Sequence, residues 1–209
     1  KKNLFYSVAA LKGEVVKKKP YDQPITINAA AKLEIAAMVE GEVVDKRTAF
    51  FNINKATGRK LRLSIDPAPQ YGKGGPSALI NGIMGSVTRF NDDEWLGWNG
   101  KDFEGILDFG REETFKKINL RFYKAPSSWI YMPSSIKISV SADGVAYREI
   151  AFKNNPDTGQ MGAQAHGFSF DATKTRFIKI NAANNGIIKS GFPGEGFPAW
   201  LFVDEVVVE

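Results

Sequence analysis

Short stretches rich in Val, Ile and Phe alternate along this chain with clusters of Gly, Pro, Asn and Asp, and almost nothing recurs at a helical period. That alternation is the signature of an all-β sandwich or barrel. It predicts strands at Ile35 to Val39, Thr48 to Ile53, Leu61 to Ile65, Gly105 to Phe109 and Lys117 to Tyr123. Further strands are expected at Ser135 to Val140, Tyr147 to Phe152, Gly167 to Phe170 and Phe177 to Asn181. Ser141-Ala142-Asp143-Gly144 reads as a hairpin, because Asp-Gly accepts the positive φ angles of a tight turn. The run from Pro198 to Glu209 reads as one long, largely buried strand. Its Trp, Phe and Val suit a pleated surface, and Pro198 stands at the start, where a missing ladder donor is tolerable. A strand of this kind must close a sheet begun much earlier.

A boundary is expected near Asn54 to Lys60, where Lys55-Ala56-Thr57-Gly58-Arg59-Lys60 is polar and contains Gly. Residues 1–54 then form a small β unit, and residues 55–209 a larger one. The small unit contains Phe5-Tyr6-Ser7, Tyr21 to Ile27 and Leu33 to Val39. Its first turn is expected at Val8 to Gly13, and Lys17-Lys18-Lys19 marks another. Some 50 residues are marginal for a free-standing fold, so the unit either leans on its neighbour or lacks strands lying upstream.

At 209 residues, with 43% hydrophobic and 24% charged positions, the composition is that of an ordinary soluble globular protein. No apolar run approaches the roughly 18 residues that span a bilayer. Lys1-Lys2 is followed by too short an apolar stretch for a secretory leader, so an exported parent would carry its leader upstream. The absence of cysteine excludes disulfides, thiolate metal sites and cysteine nucleophiles. The single histidine, His166, lies on an expected strand and is read as structural. Net charge is +5, concentrated in the first third of the chain. No exposed aromatics interleave with those basic residues, so a lysine-rich solvated surface is expected rather than a nucleic-acid partner.

From Arg59 onward a series of motifs arrives in a fixed order: Tyr71-Gly72, Leu79 to Ser86, Trp95-Leu96-Gly97-Trp98, Ile106 to Gly110, Ser128 to Pro133 and Ser139 to Gly144. Phe192-Pro193-Gly194-Glu195-Gly196 then leads into Pro198-Ala199-Trp200-Leu201-Phe202-Val203-Asp204-Glu205. This order resembles a discoidin domain. The final run resembles the C-terminal tails of bacterial family 20 glycoside hydrolases, the β-N-acetylhexosaminidases, although Phe192 stands where such tails often carry His. The first 54 residues resemble the small β-domain that follows the catalytic barrel in the same enzymes. The resemblance implies an all-β chain: a small Ig-like, chitobiase C-terminal-type domain, then a discoidin-like (galactose-binding-domain-like) jelly-roll sandwich. It also implies a secreted, periplasmic or cell-surface parent and a monomeric module contacting an upstream catalytic domain.

Three chemistries are open to such a chain. Family 20 catalysis uses a neighbouring Asp-Glu pair, and Asp204-Glu205 and Asp92-Asp93-Glu94 are the local matches. A (β/α)₈ barrel needs about 250 residues of alternating strand and helix, which this chain lacks, so no catalytic residue is assigned. Discoidin modules often hold a structural Ca²⁺. The resemblance carries its ligands onto Asn81, Ser86 and Glu205, with Asn81 in place of the usual Asp. Sugar recognition is the third: aromatic faces stack on pyranose C–H faces, and a few polar groups set specificity. Trp129 and Tyr131, on an expected loop, and Trp95 are the aromatic candidates; Arg89 and Asn91 are the polar ones. Trp129 either stacks on sugar or packs its own loop.

The expected function is therefore a non-catalytic accessory module that binds a glycan of N-acetylhexosamine or galactose type, supports the catalytic barrel, or both. An adhesion module binding another protein is the alternative, and an independent hydrolase the third reading.

Overall fold

The computed structural model describes residues 3–10 and 18–209. Leu11, Lys12, Gly13 and Lys17, parts of the two turns expected above, lie outside the described residues. Val8 to Ala10 continue the first strand rather than turning.

Eleven strands are described: β1 (Asn3–Ala10), β2 (Lys19–Pro20), β3 (Ala31–Val39), β4 (Glu42–Phe51), β5 (Lys60–Leu63) and β6 (Leu96–Asn99). They continue with β7 (Phe103–Lys124), β8 (Ser135–Ser141), β9 (Arg148–Asn154), β10 (Gly162–Ala183) and β11 (Trp200–Val208). The first four make an antiparallel sheet in the order β2-β1-β3-β4. The others form the sandwich, ordered β6-β11-β7-β10-β8-β9 with β5 added beside β7.

Residues 105–109 and 117–123, expected as two strands, are one 22-residue strand; residues 167–170 and 177–181 likewise belong to one. Each long strand serves both layers. The early half of β7 pairs with β5 and with the late half of β10, and its later half pairs with β11. Gly110 at φ +77° and register shifts between Ser169 and Phe177 take the strands round the corner, as bulges do in sandwiches. Between the layers lie Leu107, Phe109, Ile136, Ile138 and Ile180 from one side and Leu120, Phe122, Leu201, Val203 and Val206 from the other, all buried.

Every residue of β11 from Leu201 to Val208 is buried, in keeping with the expected closing strand. β6 and β7 flank it, so it has no free edge. The Asp-Gly hairpin forms between β8 and β9. One Asp143 oxygen accepts from the Ser141 hydroxyl and from the Val145 and Ala146 amides, with Gly144 at φ +77°.

The small sandwich expected over residues 1–54 is, among the described residues, a single four-stranded sheet. Among the described residues its buried apolar side chains are Ala31 and Ala36, and Tyr21 packs edgewise on Tyr6. The chain leaves this sheet and is fastened to the jelly roll at once. Asn52 donates to the Gly82 carbonyl, and the Lys55 amide to that of Val208. The Asn54 side-chain oxygen accepts from the Val208 and Ala56 amides. The polar segment at the expected boundary contains a turn bonded to the last strand.

Candidate functional site

The loop joining β7 to β8 is short and rigid. Ala125 and Ile130 exchange both backbone hydrogen bonds across a turn of 3-10 helix at Pro126–Ser128. This leaves Trp129 at its apex with φ +63°, a conformation uncommon outside glycine. The Trp200 amide donates to the Trp129 carbonyl at 2.8 Å, and the Tyr131 amide to the Trp200 carbonyl at 3.0 Å. Trp129 is therefore positioned by the closing strand, while 37% of it remains exposed.

The second wall is the loop from Asn184 to Ala199. Its Glu195 carboxylate accepts from the Gly191 amide, drawing the loop into a compact turn. Phe197 stacks on Trp129 with centroids 4.8 Å apart and planes 16° from parallel. Gly194 lies so close to the indole that a Cβ there would stand 2.5 Å from it. The Tyr131 hydroxyl donates to the Pro193 carbonyl, and its ring meets the edge of Phe192. Between the two loops is a cleft of about 190 Å³ lined by Tyr131, Asn185, Ile187, Ile188, Lys189 and Phe192. Asn185 donates to the Met132 carbonyl, which fixes its amide at the cleft wall. Ile187, Phe192 and Phe197 are more than half exposed, so this end of the sandwich carries an apolar rim.

The structure brings Trp129 and Tyr131 together but removes Trp95 from the site. Trp95 is 1% exposed, its ring set edgewise against Tyr123 and its indole N–H donating to the Ser86 carbonyl. It is core, clustered with Tyr123, Ile130 and Phe202. Arg89 and Asn91 are exposed, flanking Phe90. Phe90 shares a second cleft of about 200 Å³ with Tyr71, Ser128, Ile130, Trp200 and Phe202, beside the Trp129 turn. Ile187, Phe192, Phe197, Tyr71 and Phe90 were not anticipated as site residues. The Phe192 departure from the hexosaminidase-tail pattern was the one signal that could have marked the rim.

The two carboxylates of β11 lie beneath the loop from Asn81 to Glu94, both with 0% exposure. Asp204 faces Arg121 at 2.6 Å and accepts from the Gly85 amide. Burial outweighs that attraction and pushes its carboxyl up to about 7. Glu205 accepts from the Gly82 amide, and its other oxygen is buried without a partner. Burial and the neighbouring Asp204 charge push it up to about 9. So enclosed a pair cannot meet a glycosidic bond.

The three expected calcium ligands are treated unequally. Glu205 accepts from the Gly82 amide, while the Asn81 side chain accepts from the Ile83 amide and donates to the Glu94 carboxylate at 2.7 Å. Ser86 is engaged elsewhere: its amide donates to Asp92, its carbonyl accepts from Trp95 and its hydroxyl meets Thr88. Among the described residues no group of three or more His, Cys, Asp or Glu is placed to hold a metal. The unpartnered Glu205 oxygen, with Glu94 nearby, nevertheless fits a hard cation completed by carbonyl oxygens. His166 is buried beside Phe122, and burial holds its imidazole below its ordinary value, which suits a structural residue.

Comparison with known proteins finds the F5/8 type C domain over residues 64–190. Among solved structures the chain is similar to CpGH89CBM32-5 from Clostridium perfringens in complex with GalNAc-beta-1,3-galactose. That likeness has 17% identity and TM-score 0.47, and covers 75% of this chain and 97% of that one. It is also similar to chitosan-binding module 1 of a chitosanase/glucanase from Paenibacillus sp. IK-5, at 17% identity and TM-score 0.47, covering 75% and 98%. The lectin domain of lectinolysin complexed with Lewis B antigen is similar at 15% identity and TM-score 0.48, covering 75% and 95%. No curated protein matches the chain.

Proposed function

We propose that this chain, which belongs to the F5/8 type C domain family, is a carbohydrate-binding module that takes a sugar at the rim formed by Trp129, Phe197 and Phe192. One observation carries the reading: an aromatic side chain partly open to solvent is held by backbone hydrogen bonds to a core strand, beside a preformed cleft. A pyranose C–H face stacks on such a surface at little entropic cost, because the protein groups are already ordered. Asn185 and Lys189 supply the polar contacts that orient hydroxyls or an acetamido group, and Ile187 and Phe192 cover its apolar side. An N-acetylhexosamine or galactose-type sugar is the ligand class. Glycan-array screening followed by calorimetry tests this. Binding is expected in the millimolar to micromolar range, and its absence across neutral and acetamido sugars would overturn it.

The finer setting belongs to the same proposal. The run from Pro193 to Glu205 supports an accessory position in an exported β-N-acetylhexosaminidase-type hydrolase, with residues 1–54 as a separate unit towards the catalytic domain. Among the described residues no helix is long and apolar enough to cross a membrane. A structural Ca²⁺ beneath the Asn81–Glu94 loop is proposed on the buried, unpartnered Glu205 oxygen. Asn81 and Glu205 would hold it, and the ion would supply the positive charge those oxygens lack. The exposed rim of Ile187, Phe192 and Phe197 also suits the second reading, adhesion to another protein. A partner protein that competes with no sugar would favour it.

A further inference from the structure

The outer face of one layer is a set of aligned rows in which Phe177, Ser139 and Ser141 are covered and the charged side chains between them reach solvent. Residues directly opposite in an antiparallel ladder share a face, so the pairings define its rows. One row is Arg62, Ile106, Lys179, Ser139 and Glu149; the rows beside it are Lys60, Asp108, Phe177 and Ser141, and Glu104, Asn181, Lys137 and Phe152. The alternate positions Leu61, Leu107, Ile178, Ile180, Ile136 and Ile138 point into the core and are buried.

The charge on this platform is basic on balance. Of its three carboxylates, Asp108 is held by Arg176 and the Gly110 amide, Glu104 accepts from Ser64 and Asn181, and Glu149, opposite Ser139, stands exposed at the β9 edge. Among the described residues, Lys60, Arg62, Lys137 and Lys179 make no ion pair and no side-chain hydrogen bond. Tyr147 lies across the middle, with the Lys179 ammonium 4.4 Å from its ring centroid and its hydroxyl buried without a partner. Phe152, at 57% exposure, stands at the border beside Lys137.

We infer that this outer face of β5, β7, β10 and β8 is a second binding surface, for an acidic polysaccharide bearing carboxylates or sulfates. Neighbouring strands are about 4.8 Å apart, so Arg62 and Lys179 stand roughly 10 Å apart in one row. An extended polyanion laid along that row presents successive charges to unpaired cations, while Tyr147 offers its ring to the sugar. A guanidinium and ammonium groups that already lack partners lose no existing ion pair when they bind. The surface is distinct from the aromatic rim, and the inference does not rest on sugar binding there.

Affinity electrophoresis of the full chain through gels containing polygalacturonate, heparin or dextran tests the inference. Retardation by one or both polyanions, absent with dextran and weakening with salt, is expected. Arg62→Glu with Lys179→Glu should weaken binding by about tenfold or more. Arg62→Gln with Lys137→Gln, at exposed positions, should weaken it in the same direction and guards against loss of fold. The same reversal at Lys73 and Lys101, off this face, should change it little. An equal loss in that control would overturn the site by showing a net-charge effect. Duplex DNA retarded as strongly as the polysaccharides would overturn it too, as would wild-type and Arg62→Glu/Lys179→Glu migration that cannot be told apart.

Discussion

Arg121 meets Asp204 at 2.6 Å inside the sandwich, with side-chain exposures of 9% and 0%. The two residues lie on neighbouring strands, and the Arg121 guanidinium also reaches the Gly85 carbonyl, fastening the loop above them. Removing one partner leaves a buried charge uncompensated. Arg121→Met is expected to cost about 3–5 kcal/mol at neutral pH. The cost should grow as pH rises above about 7, where wild-type Asp204 ionises against Arg121 and the variant's carboxyl has no partner for its charge. Arg121→Met combined with Asp204→Leu should recover much of the loss, because a well-packed apolar pair often replaces a buried ion pair without penalty. Guanidinium unfolding of the three proteins checks this, and a single variant as stable as wild type would show that the pair is not coupled.

The pH dependence follows from the same carboxylates. Asp204 and Glu205 are pushed up to about 7 and about 9 in the folded chain, above their ordinary values near 4. The unfolded chain therefore releases these protons more readily, and their contribution is fully present only below pH 4. It is lost as pH rises through 7 and 9. In chelator, the melting temperature should fall steadily between about pH 5 and 9. Glu205→Gln should flatten the upper part of that fall. Added Ca²⁺ should raise the melting point most at the alkaline end, since a cation binds the ionised form; a shift equal at pH 5 and pH 9 would argue against a carboxylate site.

The β8–β9 hairpin depends on one oxygen of Asp143, which accepts three hydrogen bonds and whose acidity is strengthened chiefly by the Val145 and Ala146 amides. Asp143→Ala should lower the melting temperature, because the turn amides lose their partner, though they stay near water. Asp143→Asn, which keeps an acceptor oxygen, should recover at least half. Thermal melting of both variants tests the claim, and an unchanged Asp143→Ala would mean that Gly144 alone sets the turn.

Local chemistry was readable wherever a residue's role is set by its neighbours in the chain. Asp143-Gly144 announced its turn, and the Val-rich end of β11 announced a buried strand. Trp129 and Tyr131 were legible as loop aromatics because Pro126 and Pro133 bracket them. Trp95 was not, since its burial depends on Tyr123 and Phe202, contacts that alternation of residue types does not encode. Phe192 and Phe197 escaped notice for the opposite reason. Their exposure comes from the closed turn made by Gly191, Gly194 and Glu195, in a stretch that reads as featureless loop. The unity of β7 and of β10 was hidden because bulges interrupt the period-two pattern where each strand changes layer.

Trp129 allows binding to be separated from stability. Its φ of +63° is strained for a residue with a Cβ, so glycine there relieves backbone strain while removing the indole. Trp129→Ala keeps the strain and loses the ring. The glycine variant is therefore expected to melt at or above the alanine variant, by an amount worth about 1 kcal/mol. Both should lose sugar binding to the same extent, because the ring alone makes the stacking surface. Phe197, left without its stacked partner, should not restore it. Parallel calorimetry and thermal melting of the two variants read both quantities. If the glycine variant still binds sugar, the ligand rests elsewhere, on the Tyr71 and Phe90 cleft; if it melts well below the alanine variant, the Trp129 conformation is not strained and the indole is held by its packing on Gly194 and Phe197.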